Sequence, residues 1–179
     1  MRVRFWGTRG SIATPGPGTV RFGGNTSCVG VTTSGGACLI FDCGTGARPL
    51  GAELMAHTPK PISATILLSH THWDHIQGFP FFAPLFVSAN QITVCGPEGS
   101  GHSLREVLSG QMEFTYFPVE LGQLPAQDIV IGEHSAQAYE CAHDRDVNLH
   151  GAFAPQYAGK HGHSLFGEGV RYLSNPASL

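Results

Sequence analysis

The chain has 179 residues, a length that fits one domain, and 41% of them are hydrophobic, enough for a core of ordinary size. Its formal net charge of −3 gives no hint of a nucleic-acid surface, and it has no run of about 18 apolar residues to cross a membrane. Five cysteines (Cys28, Cys38, Cys43, Cys95, Cys141), odd in number and without a Cys-x-x-Cys, read as buried free thiols. With a start that lacks the apolar stretch of a signal peptide, they lead us to expect a cytoplasmic protein.

Residues 2–6 alternate as a strand, with Val3 and Phe5 on one face. Residues 7–24 are rich in Gly and Pro. A loop of that length is either functional or a plain connector. Residues 27–33 and 37–41 predict a hairpin around Ser34-Gly35-Gly36, and Asp42-Cys43-Gly44-Thr45-Gly46 follows its second strand. Cys43 has no evident partner base and reads as packing. Leu50, Leu54 and Met55 give residues 47–56 the spacing of a short amphipathic helix, with His57 on the surface near its end.

Residues 64–68, Ala-Thr-Ile-Leu-Leu, read as a buried strand that delivers Ser69-His70-Thr71-His72-Trp73-Asp74-His75. His70 and His72 are two apart, so an extended backbone points both to one side. Asp74 and His75 follow where the chain must turn. Four such donors in six residues at a strand end can converge on zinc, manganese or iron(II). The competing reading is a polar loop that is merely rich in histidine.

The segment 76–86 is aromatic, and its prolines exclude a long helix. It walls the pocket or fills the core. Residues 91–95 predict a strand stopped by Gly96-Pro97. Residues 103–112 predict a helix with Ser103 as N-cap and Glu106 completing a capping box, preceded by an exposed His102. Short strands are expected at 129–131 and 136–141. Strands alternating with helices favour an α/β sandwich.

His-x-His-x-Asp-His after an apolar strand resembles the signature of the metallo-β-lactamase superfamily. Arg4-Phe5-Trp6-Gly7-Thr8-Arg9-Gly10-Ser11-Ile12, Gly23-Gly24-Asn25-Thr26-Ser27-Cys28 and residues 69–86 narrow the resemblance to its phosphodiesterase-like subgroup. That subgroup is akin to the cyclic phosphodiesterase of phosphonate breakdown and to tRNA 3′-processing endonucleases. The match runs from residue 2 to about residue 130.

The resemblance implies an αββα sandwich and a dinuclear hydrolase, with zinc at two sites or manganese or iron(II) in its place. It implies that His70 and His72 bind the first metal and that Asp74 and His75 bind the second. Asp74 also acts catalytically by orienting a metal-bound hydroxide, and Asp42 holds a backbone group or a ligand histidine in place. The implied substrate is a small-molecule or nucleotide phosphodiester.

The tail departs from that pattern. It holds His134, His143, His150, His161 and His163, but no Thr-Asp or Ser-Asp to supply a bridging carboxylate. In Arg171-Tyr172-Leu173-Ser174-Asn175-Pro176-Ala177, Asn175 stands where the family places its third histidine. Alternatively His143 or His150 is that ligand, and His143 is the candidate carried forward. The expectation is a single domain over 1–179 with an atypical, disordered part from about residue 145, an incomplete sandwich, and self-association through its uncovered face. Two functions follow: a metal-dependent hydrolase, or a truncated or non-catalytic metal-binding or interaction module.

Overall fold

Period-two alternation builds the sheet of this protein, and one of its two faces carries most of the core. The computed structural model describes residues 1–97 and 101–132, with residues 127–132 described through their backbone. The strands are β1 (Arg2–Gly7), β2 (Cys28–Thr32), β3 (Cys38–Phe41), β4 (Ser63–Leu67), β5 (Gln91–Cys95) and β6 (Gln127–Gly132). The helices are α1 (Ala47–His57), α2 (Trp73–Ile76) and α3 (Leu104–Gln111), joined by short 3-10 turns. The six strands form one sheet in the order β1-β2-β3-β4-β5-β6. Its first two pairings are antiparallel and the next three parallel. The fold is α/β.

Parallel neighbours need crossovers, and these put helices on the sheet. Ile40, Ala64, Ile66, Ile92 and Val94 are buried with Leu50 of α1 and with Leu104 and Leu108 of α3 in one cluster. Each of the Ile, Val and Leu side chains contributes roughly 1.5–3 kcal/mol on burial. The aromatic segment after α2 makes two 3-10 turns, as its prolines require, and divides its side chains. Phe79 and Phe82 are fully buried in the cluster, while Phe81 stays exposed, edge-on to Phe117 with ring centroids 5.4 Å apart. These residues are therefore core more than pocket wall.

The opposite face runs in rows across the register, one of them Val3, Val31, Leu39, Thr65 and Thr93. Leu39 is buried, whereas Val3 and Phe5 at the edge are exposed. On the helix side of β1, Trp6 packs on the core and Arg4 lays its guanidinium 3.9 Å from the Trp6 ring centroid while reaching Glu53 of α1 at 3.2 Å.

β4 starts and ends one residue earlier than its apolar run suggests, and Leu68 still donates its N–H to Cys95 at 2.8 Å. α3 carries the expected capping box: Ser103 accepts from the Glu106 N–H, and the Glu106 carboxylate accepts from the Ser103 N–H. No helix among the described residues is long and apolar enough to cross a membrane. The strand expected at 136–141, the histidines at 134, 143, 150, 161 and 163, and Asn175 lie outside the described residues.

Candidate metal centre

The site forms where β3 and β4 end side by side. Phe41 pairs with Leu67, and the Asp42 N–H still bonds Leu67 O at 3.0 Å. The chain then bends at Asp42, whose φ of 60° is left-handed and disfavoured for a residue with a side chain. That bend turns a buried carboxylate toward the segment leaving β4. Asp42 Oδ1 accepts the Ser69 N–H at 2.9 Å and the Ser69 hydroxyl at 2.7 Å. Its Oδ2 accepts the Ser27 hydroxyl at 3.0 Å and stands 2.8 Å from His75 Nδ1.

Backbone bonds lock the two turns together. Cys43 N–H donates to His75 O at 2.7 Å, and Gly78 N–H donates to Cys43 O at 2.9 Å. A Cβ at Gly78 would run into the carbonyl of Gly44, so only glycine allows this approach. Behind the turns, Thr26 and Thr45 exchange backbone-to-hydroxyl bonds at 2.8 Å each, and the Gln77 amide donates to the Thr26 hydroxyl at 3.2 Å.

His70 and His72 approach each other after β4, with His70 Nε2 and His72 Nδ1 3.1 Å apart. Asp74 and His75 lie in the single turn of α2, with Asp74 Oδ2 3.5 Å from His75 Nε2. The two groups adjoin, since the His70 and His75 ring centroids are 4.0 Å apart. Trp73, between them in sequence, is exposed.

The hydrogen bonds fix the tautomers. In the neutral ring His75 donates from Nδ1 to Asp42, which leaves its Nε2 as a lone pair on the Asp74 side. The Ser69 hydroxyl spends its one proton on Asp42, so at 3.0 Å it accepts from His70 Nδ1 and leaves His70 Nε2 as a lone pair toward His72.

Charge follows the same contacts. Burial works to raise the Asp42 pKa, but bonds from His75 and Ser69 outweigh it and hold the carboxyl below its ordinary value. Burial works to lower the His75 pKa, but the bond to Asp42 and the charges of Asp42 and Asp74 raise it. Burial, then the neighbouring His75 and His72, lower that of His70. Cys43 is fully buried, and burial pushes its thiol well above the usual range, so it is packing and not a nucleophile.

In chemistry the donors suit a divalent ion: imidazole lone pairs with fixed tautomers, a carboxylate, and a buried acceptor behind one ring. In number they form pairs. Among the described residues no three His, Cys, Asp or Glu side chains make a group that could hold an ion. The residues present make two donor pairs, each short of the three protein ligands that a catalytic zinc usually has. Sequence reasoning missed Ser69, which joins Asp42 to His70 from the position just before the motif. It also missed Ser11, whose N–H donates to Asp74 Oδ2 at 2.8 Å from the glycine-rich loop after β1.

Residues 38–138 match the Beta-lactamase superfamily domain, a stretch that holds Asp42 and all four donors. Over 94 residues, 51% of this chain, the sequence is 29% identical to proteins named Ribonuclease BN from Salmonella typhimurium, Salmonella typhi and Salmonella heidelberg. The matched stretch is 30% of the length of each of those relatives. No solved structure matches the chain.

Proposed function

The chain belongs to the beta-lactamase superfamily, and from that premise we propose that it is a metal-dependent hydrolase of the phosphodiesterase-like kind. His70 and His72 are the ligands of one ion, and Asp74 and His75 those of a second. Zinc is the ion proposed, with manganese or iron(II) as substitutes. The observation that carries the reading is the 2.8 Å contact of Asp42 with His75 Nδ1. A buried carboxylate behind an imidazole orients the ring and raises its basicity toward an ion on the far nitrogen. The similarity to proteins named as ribonucleases supports a phosphodiester as substrate.

When bound, the ions supply positive charge against the phosphodiester oxygens and lower the pKa of water from about 15.7 toward neutrality. The protein's own part is orientation. Asp42 holds His75 in one tautomer, Ser69 does the same for His70, and Asp74 sits beside His75 with a carboxylate oxygen to orient the attacking water. Cys28, Cys38 and Cys43 are free thiols, which supports a reducing compartment such as the cytoplasm.

A second reading has its own observation. Because no three donors gather among the described residues, a non-catalytic metal-binding or interaction module is the alternative. Metal content of the purified chain and turnover of bis(p-nitrophenyl) phosphate separate the two. The hydrolase reading expects bound metal and turnover that disappears in Asp74→Ala. Bound metal with no turnover favours the module.

A further inference from the structure

We propose that Ser11 is a positioning residue for Asp74, and that the loop after β1 exists in part to present its backbone N–H to that carboxylate. The inference rests on the metal-site reading above and adds a part of the chain far from the motif. Ser11 N–H donates to Asp74 Oδ2 at 2.8 Å. A Cβ on Gly10 would stand 4.0 Å from the same oxygen, so the loop tip lies directly over Asp74.

The tip is braced. Thr8 and Arg9 both donate their N–H groups to Asn25 O at 3.1 Å, Arg9 bridges Thr26, and Thr14 N–H donates to Gly24 O at 2.8 Å. Ser11 itself has φ 67°, a left-handed conformation that a residue with a side chain adopts at a cost when its surroundings impose it. An ionised carboxylate makes a strong bond to a backbone N–H. With Oδ2 so engaged, the carboxylate cannot rotate freely, and its plane toward His75 and an ion is set before the ion arrives.

The test uses the full chain labelled with ¹⁵N, without metal and then titrated with zinc against a chelator. Without metal, exchange of the Ser11 amide is expected to speed up at least about tenfold in Asp74→Ala. Ser11→Gly keeps the N–H and favours positive φ, whereas Ser11→Val keeps the N–H but resists that conformation. Zinc affinity is expected to stay within about twofold in Ser11→Gly and to fall about 10–100-fold in Ser11→Val, the range for groups that orient ligands.

Exchange that ignores Asp74 overturns the inference. So does equal zinc affinity in the two Ser11 variants when the unsubstituted chain binds zinc. A chain that binds no zinc, while its Ser11 amide still responds to Asp74, overturns the metal reading and this role with it, and the amide result tells the two failures apart.

Discussion

His75 Nδ1 stands 2.8 Å from Asp42 Oδ2, which ties the first turn after β4 to the bend that ends β3. The same carboxylate takes three further bonds, from Ser27 and from the N–H and hydroxyl of Ser69. One buried side chain therefore sets the ring of His75 directly and that of His70 through Ser69. Asp42→Ala should weaken zinc binding about 10–100-fold while His75 and His70 remain in the chain. Competition against a chromophoric chelator reads this, and affinity unchanged from the unsubstituted chain would refute it.

The pair also makes stability depend on pH. The Asp42 carboxyl is held below its ordinary 3.8, so its contribution is present above that value and is lost as pH falls through the folded pKa. The His75 pKa is raised above 6.5, so its contribution is complete below that value and is lost as pH rises through the folded pKa. In metal-free solution the pair is strongest between the two ordinary values. Urea unfolding should show more stability near pH 5.5 than near pH 8.5, and Asp42→Asn should reduce that difference. Zinc should shift the balance toward higher pH, because ligation needs the neutral ring.

Gly78 is predicted to be intolerant of even one methyl group. A Cβ there meets the backbone of Gly44 and lies within 2.9 Å of Cys43 O, and backbone cannot rotate away as a side chain can. Gly78→Ala should cost roughly 1–3 kcal/mol and lower zinc affinity with it, because the turn carrying His75 shifts. Gly110→Ala is the control, as nothing lies within 4 Å of a Cβ there. Equal melting temperatures for the two variants would contradict the packing described.

Burial pushes the Cys28 thiol up to about 12 and that of Cys38 up to about 11, and that of Cys43 stands well above its ordinary value. At pH 8 these three should be nearly inert to a thiol reagent until the chain unfolds. Peptide mapping after brief alkylation checks each site, and rapid native labelling of Cys43 would contradict its burial.

The sequence made the elements legible where local rules decide. The capping box at Ser103 and Glu106 uses contacts three residues apart, and the hairpin of β2 and β3 follows its turn residues. The spacing of His70 and His72 was also readable, because side-chain direction in extended chain repeats every two residues. Alternation in β1 separated two faces but could not say which is covered. The apolar Val3 and Phe5 face outward at the edge, and the side of Arg4 faces the helices, where its guanidinium lies over the Trp6 ring and reaches Glu53. The contacts of Ser11 with Asp74 and of Asp42 with His75 span long separations, and only packing of the strands brings those residues together.

X-ray absorption at the zinc edge of the loaded chain tests the central claim most directly, because it reads the ligands and not the activity. Nitrogen and oxygen neighbours at about 2.0–2.1 Å with imidazole scattering are expected, and that signal should be lost when His70→Ala and His72→Ala are combined with His75→Ala. Zinc that keeps the same imidazole scattering in this triple variant would contradict the claim that the motif after β4 is the metal centre.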